Sequence, residues 1–385
     1  MSKSDHLVAP KLPLKLNIPE SKSTVDVRVI DTNTLLYINP KLFLQPQIEG
    51  FKGLHSPIYC FLISNGNRHV VFDLGVRQDW DKYAPRIVSL IKATTTVTPG
   101  LHDVASVLDT SDLGIRTRDI EAIIWSHNHF DHIGDPSTFP PTTDLVVGPG
   151  VRAASWPGWP SNPDAGVLDS DIEGRVVREV SFVGRNEVNN NDTPSPLKVG
   201  RFDALDFFGD GSFYLLDAPG HAIGHLCALA RTTADPSSFV FLGADACHHP
   251  GALRPTDYLP LPRSISLCPA EYATAATSKP AGNASIIPCP GELLQQLTIR
   301  QSASNPFFTV ARGPLFPDHE AAMDTVRKIQ ELDAADNIFV LIAHDLSVRD
   351  RIPLFPEKIN LWMASNLGLE TRWLFCSDFD VKQVG

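Results

Sequence analysis

The sequence predicts an α+β fold in which two β-rich halves carry helices on their outer faces. Three observations point to it. Short apolar runs bounded by Gly, Pro, Asn or Asp recur before residue 75 and again between 202 and 243, as strands do. Helix-like stretches follow each strand set, so that layers of sheet and helix are expected to pack together. A buried-looking run, Ala122-Ile123-Ile124-Trp125, leads into Ser126-His127-Asn128-His129-Phe130-Asp131-His132-Ile133-Gly134-Asp135, a dense cluster of imidazoles and carboxylates at a strand's carboxyl end.

In chain order, residues 1–24 are polar and punctuated by proline, and are expected as a loose N-terminal arm. Apolar and polar residues alternate over Val25–Ile30, which marks a half-buried strand, and 35–38 continues the sheet. Residues 58–63 and 69–73 form a hairpin around the turn Asn65-Gly66-Asn67. Helices are expected over 81–92 and 104–108, then a strand over 119–125. Another strand covers 144–148, a long loop 149–175, and a strand 175–183. The second strand set comprises 203–207, 212–217, 225–230 and 239–243. Residues 250–317 are rich in proline and poor in periodicity, as an inserted lid or binding loop is. Asp318 opens a helix to about 333, with Asp318 and Glu320 at the positive end of its dipole. A buried strand at 338–343 ends in His344-Asp345, and the tail 358–375 is read as an amphipathic stretch and a last strand.

The chain has 385 residues, 43% of them hydrophobic, enough for a large core. Its net charge of −11 opposes binding to phosphate backbones, so nucleic acid is not an expected partner. No run is long and apolar enough for a membrane helix, and residues 1–20 lack the apolar core of a secretory signal. A cytoplasmic location is therefore expected. The six cysteines are scattered without a C-x-x-C pair and are read as reduced, with Cys268 and Cys289 as the exception left open for a disulfide.

The cluster reads as metal-binding. Imidazole and carboxylate donors suit zinc and tolerate manganese or iron. His127 and His129 stand two apart on an extended segment, so both rings can face one ion. Asp131 and His132 follow a turn later and could serve a second.

The pattern His127-x-His129-x-Asp131-His132 resembles the signature of the metallo-β-lactamase-fold hydrolases. Further motifs agree. Pro219-Gly220-His221-Ala222-Ile223-Gly224-His225 is similar to the family's P-G-H-T-x-G-H turn. Phe241–Asp245 resembles the strand that delivers a bridging aspartate, and Ala343-His344-Asp345 the last ligand motif. Val71–Gly75 matches an early motif whose aspartate, here Asp73, supports the site from behind. The resemblance spans about 25–375. It implies a four-layer αβ/βα sandwich, with one catalytic domain over 25–385 and a loop-rich insertion at 250–317. It also implies two Zn2+ ions. His127, His129 and His221 would hold one, and Asp131, His132 and His344 the other, with Asp245 bridging. A hydroxide between the ions would attack the substrate, and Asp131 would carry its proton to the leaving group.

Length and motif order look most like the lactonase branch and fungal relatives that open small lactones or lactams. The expected function is hydrolysis of a small cyclic ester or cyclic amide, with a thioesterase or glyoxalase-II-like hydrolase as the alternative. The lactonases usually carry a tyrosine three residues after the bridging aspartate. Here that position is His248, which could donate the same hydrogen bond, or Tyr258 could reach in. Asp131, His248 and Tyr258 are thus the candidate catalytic residues. Trp156, Trp159, Leu259, Phe307 and Phe308 are nominated as pocket walls. His225 is read as structural. A flavodiiron-type oxidoreductase is disfavoured, since no histidine of the cluster is replaced by glutamate. The expected partner is a small-molecule substrate. A homodimer is compatible with the sequence, because the arm and the insertion could pair across subunits.

Overall fold

The computed structural model describes residues 5–182, 197–267 and 287–380. Two sheets face each other. The first has seven strands in the spatial order Thr95–Thr98, Asp26–Ile38, Leu54–Asn65, Arg68–Phe72, Ile120–Ile124, Asp144–Val147, Val177–Glu179. Its first four strands pair antiparallel, and pairing is parallel from Arg68–Phe72 onward. The second has six, in the order Ile338–Leu341, Ser237–Leu242, Leu226–Ala234, Phe213–Asp217, Phe202–Asp206, Leu197–Val199. Only its Ile338–Leu341 pair is parallel.

Strand alternation explains the layers, because neighbouring side chains point to opposite faces. Val70, Phe72, Ala122 and Ile124 of the first sheet pack between the sheets against Phe213, Leu215, Ala228 and Leu242 of the second. Their neighbours Val71 and Ile123 point outward to Leu108 and the first helical layer, while Leu229 and Phe241 point outward to Val326 and Ile329 of the helix His319–Asp333. The four-layer αβ/βα sandwich follows from these two cores.

Several expectations are refined. Residues 26–38 form one strand, not two, bulged between Asp31 and Leu35 with Asn33 at φ 61. The first helix is Pro85–Thr94, because proline suits the first turn of a helix. The loop at 149–175 contains a short helix, Val151–Ser155. The arm is docked, not loose. Leu7 N donates to Leu261 O, Lys11 N to Asp257 O, and the Arg231 guanidinium to Pro19 O. The tail has no last strand. It forms the helix Leu367–Thr371 and a 3-10 turn at Leu374–Asp378. The stretch Asn189–Asp192, which the sequence reads as a surface turn, and Cys268 with its open disulfide lie outside the described residues. Cys60, Cys227, Cys247 and Cys376 are buried free thiols.

Described parts of the 250–317 insertion pack into the domain. Thr309–Val310 pairs with Leu44–Gln45, and Ser264–Leu267 pairs with Ile287–Pro290. Arg254 is bound through two nitrogens by Asp333 of the long helix, at 2.6 and 2.5 Å. Among the described residues no helix is long and apolar enough to cross a membrane.

Candidate metal centre

The site assembles at one rim of the sandwich, where strands of both sheets end. After Ile120–Ile124, the backbone of Ser126 donates to Asp73 Oδ1 at 2.7 Å, which fixes the chain as it leaves the sheet. His129 then caps the short helix Phe130–Ile133, whose first turns carry Asp131 and His132. His221 lies in the turn between Phe213–Asp217 and Leu226–Ala234. This turn is gripped by the long helix: Thr325 Oγ1 donates to Pro219 O, and a Cβ on Gly220 would fall 2.1 Å from Ala322 N. Only glycine allows that approach, and its φ of +126° excludes most side chains as well. Asp245 follows Ser237–Leu242, and His344 follows the parallel neighbour Ile338–Leu341. Ala343 N donates to Ala244 O and holds these two strand ends together.

The seven expected ligands fall into two groups. His127, His129, His221 and Asp245 form one, and Asp131, His132, His344 and Asp245 the other. Within each group the candidate donor atoms all lie within 4.8 Å of one another. Asp245 belongs to both. Its Oδ1 lies 3.0 Å from His132 Nε2 and 3.1 Å from His344 Nε2. Its Oδ2 lies 3.5 Å from His221 Nε2 and 3.8 Å from His127 Nε2. His221 Nε2 is also 3.0 Å from His129 Nδ1.

The far sides of several rings are anchored. His132 Nδ1 donates to Asp73 Oδ2 at 2.8 Å, and His344 Nδ1 to Pro57 O at 2.9 Å. His127 Nδ1 lies 3.0 Å from Ser126 Oγ. Anchors of this kind select the tautomer that leaves Nε2 with a bare lone pair, as metal ligation requires. His225 has a different task. Its Nδ1 donates to Ala218 O at 3.1 Å, and its Nε2 accepts the Asp245 N–H at 3.2 Å. It props the backbone of the shared carboxylate, in agreement with its structural reading.

Burial dominates the electrostatics. It pushes His225 down to about 3, and drives His127 and His221 well below the usual imidazole range with help from neighbouring histidines. These rings are neutral at pH 7, the form that binds metal. Burial also works against charge on His132, but Asp245, Asp73 and Asp131 outweigh it and raise that ring's proton affinity. Burial opposes ionisation of Asp245, yet His132, His344 and His248 hold its carboxyl well below the usual range.

The donor set fits a pair of dications. His127 Nε2, His132 Nε2, His344 Nε2 and Asp245 Oδ1 are buried and make no aligned hydrogen bond, despite the short distances between them. Buried polar atoms left so are rare and costly unless something else satisfies them. Shared cations would do so.

The remaining nominations separate. His248 is in the site: its Nε2 lies 3.1 Å from Asp245 Oδ2. That contact is with the shared carboxylate. Tyr258 is not gathered at the cluster. It is half-buried near the docked arm, with its backbone N on Thr256 Oγ1 and its phenol interacting with Lys11. His249 is a structural cap: Nδ1 accepts from Gly251 N, and Nε2 lies 3.1 Å from Asp378 Oδ2. Phe307 and Phe308 are buried against Phe379, Leu259 is also buried, and Trp156 stacks on Trp125. Trp159 pairs with Leu168 of its own loop. Phe307 and Phe308 thus pack on the tail and Trp156 at the end of a strand, while Trp159 pairs within its own loop. The aromatic neighbours of the site that sequence reasoning missed are Phe43 and Phe316, which lie against His248 and His221. Neither belongs to a periodic run, so no sequence signal marked them.

The comparisons with known proteins agree with this geometry. The family model described as the Metallo-beta-lactamase superfamily matches residues 55–230. The chain is 67% identical over 372 residues to Metallo-hydrolase mfmC of Annulohypoxylon moriforme, covering 96% of this chain and 91% of that protein. It is 43% identical over 377 residues to Gamma-lactamase FDB1 of Fusarium pseudograminearum, covering 96% and 86%. Among solved structures, an N-acyl homoserine lactone hydrolase with N-hexanoyl-L-homoserine bound at its catalytic metal centre superposes with a TM-score of 0.54. That match has 15% identity and covers 88% of this chain and all of the other, so it speaks for the fold. With its donor residues gathered at the rim of an αβ/βα sandwich, this metal-dependent hydrolase belongs to the metallo-beta-lactamase superfamily.

Proposed function

We propose that the protein is a dinuclear zinc hydrolase that opens a small cyclic ester or cyclic amide. The observation that carries this reading is the shared Asp245, whose two oxygens face two separate groups of buried donors. His127, His129 and His221 would hold one ion, and Asp131, His132 and His344 the other. Zinc suits a set of imidazoles and carboxylates without thiolate. When bound, such ions supply a water activated at neutral pH and a Lewis acid for a carbonyl oxygen.

The chain's own residues do the rest. Asp131 is 5% exposed, with Oδ2 lying 3.5 Å from His344 Nε2, so its carboxylate stands at the reacting centre. It accepts the proton of the attacking water and delivers it to the leaving oxygen or nitrogen. Delivery matters more for an amide, because its nitrogen leaves poorly without a proton. Phe43, Phe316 and the buried surroundings limit bulk water there. The names of the relatives, a gamma-lactamase among them, support ring-opening chemistry. The substrate is a small molecule rather than a nucleic acid or a membrane. A cytoplasmic location and a homodimer form belong to the same reading.

The test is metal analysis of purified protein, followed by a panel of small lactones, aromatic lactams and thioesters. We expect about two zinc ions per chain and ring opening of a lactone or lactam. Preference for thioesters would replace the substrate class. Full activity in metal-free protein would overturn the reading. Asp131→Asn should nearly abolish turnover while leaving the fold intact by circular dichroism.

A further inference from the structure

The helix that carries Asp131 and His132 has four residues, Phe130–Ile133. So short a helix leaves its carbonyls without partners of its own, and they must be met from outside. Trp125 Nε1 donates to Ile133 O at 3.1 Å. The chain between the strand Arg68–Phe72 and the helix Pro85–Thr94 supplies further partners. Leu74 N donates to His132 O at 2.8 Å. Gly134 N is the donor that Phe130 O would receive if the helix ran on, but it goes to Gly75 O at 2.9 Å. Tyr83 takes that place, and its hydroxyl donates to Phe130 O at 2.6 Å.

The direction of this bond is fixed by its neighbours. Tyr83 Oη accepts the Arg77 N–H at 2.9 Å, and a carbonyl can only accept, so the phenol hydrogen points to Phe130 O. Tyr83 is 3% exposed, and water cannot stand in for it. Its ring is set by the Arg77 guanidinium, 5.6 Å from its centre, and by the edge-on Phe130 ring at 6.4 Å. Arg77 is in turn bound by Asp79 and Asp135.

Such a hold matters most at Asp131. His132 and His344 are anchored through Nδ1, by Asp73 and by Pro57 O. Among the described residues the Asp131 carboxylate makes no hydrogen bond; its Oδ2 lies 3.5 Å from His344 Nε2 and 3.8 Å from His132 Nε2. Its place is therefore set by its backbone. The Phe130 carbonyl belongs to the planar peptide group that leads into Asp131, so fixing that oxygen fixes the plane. We propose that Tyr83 is a positioning residue for Asp131. By holding the Phe130 carbonyl, it sets the peptide from which the Asp131 carboxylate reaches the donor group it forms with His132 and His344. The inference rests on the two-ion reading above.

The experiment is a double-mutant cycle on protein loaded with Co2+ alone: wild type, Tyr83→Phe, Asp131→Asn and the pair. It reads metal per chain, the visible cobalt spectrum, and the chelator concentration that strips half the metal. Thr143→Val is the control. It removes a bond of the same kind, Oγ1 to Ile120 O at 2.9 Å, at the end of the strand Ile120–Ile124 away from the site. We expect Y83F to keep both ions at saturating cobalt, with a changed spectrum and half-stripping at about ten-fold lower chelator. In the D131N background Y83F should add nothing beyond about two-fold, because residues that act through one another are not additive. T143V should bind cobalt as wild type does. A para-aminophenylalanine at position 83, which restores an N–H donor, should return both readings toward wild type. If Y83F does not fold, para-fluorophenylalanine takes its place, since it fills the space without a donor. A wild-type spectrum and chelator response in Y83F would overturn the proposal. So would the full Y83F effect reappearing in D131N, or a T143V shift as large as that of Y83F. Those results defeat the inference alone, whereas wild type that holds fewer than two cobalt ions defeats the two-ion reading and the inference with it.

Discussion

Asp73→Asn isolates the role of a single buried oxygen. Asp73 accepts the Ser126 N–H on Oδ1 at 2.7 Å and the His132 Nδ1–H on Oδ2 at 2.8 Å. It is 1% exposed, so water cannot replace either bond. Asparagine has the same shape and tolerates the left-handed backbone of this position, φ 62. It can accept on only one side. If its oxygen faces Ser126, its NH2 faces His132 and forces the proton onto Nε2, the nitrogen that should bind metal. If the amide flips, the Ser126 N–H is left buried against a donor, at a cost of about 1–3 kcal/mol. In the first case the loss appears as about 10–100-fold weaker metal binding. In the second it appears mainly as lower stability. The assay is zinc competition against a chromophoric chelator, paired with urea unfolding of metal-free protein. D73N with wild-type zinc affinity and wild-type stability would refute the reasoning, because it would mean that neither bond matters.

Other outcomes follow from the same coordinates. Asp171 is buried, which pushes its carboxyl up to about 7. The unfolded chain ionises it near 3.8, so the stability it contributes is complete below that pH and is lost as pH rises to about 7. The full loss is up to about 4 kcal/mol. Asp171→Asn, whose oxygen can still accept from Leu168 N, should unfold with a flatter pH profile in urea melts at pH 5 and 7.5. Identical profiles would reject this. Asp333→Ala leaves the buried Arg254 guanidinium without its bound carboxylate, with only Arg372 O still accepting from it, and should destabilise by about 3–5 kcal/mol in the same melts. A Cβ on Gly148 would fall 1.8 Å from Gly224 O. Gly148→Ala should therefore push away the turn carrying His221, lowering both melting temperature and metal content. A variant with unchanged metal content would show that the turn is not held there. Chelation of the wild-type protein should lower its melting temperature, since an ion that binds only the folded chain stabilises it.

Much of the strand pattern was legible because a strand buried on both faces reads as a short continuous apolar run, as at 58–63 and 239–243. The helix opened by Asp318 was legible because its cap is local: the side chain accepts from Ala321 N at 2.9 Å. The tail was not. Residues 374–378 turn into a 3-10 segment beside Phe307 and Phe308, and the tail's backbone pairing is an isolated bridge of Phe379 with Phe51. The arm misled for a similar reason. Its backbone bonds go to Leu261 and Asp257, hundreds of residues away, and no local pattern announces them.

The sequence by itself determined the donor types and their order, because metal ligation needs particular atoms and His127, His129, Asp131 and His132 are close along the chain. It also determined that strands would deliver them. Only the tertiary structure decided that His221, Asp245 and His344 meet that cluster, since this depends on two sheets ending at one rim. It decided too that His248 lies beside Asp245. That outcome depends on distances across the fold, where Phe43 and Phe316 pack against His248, and such packing leaves no mark on local sequence.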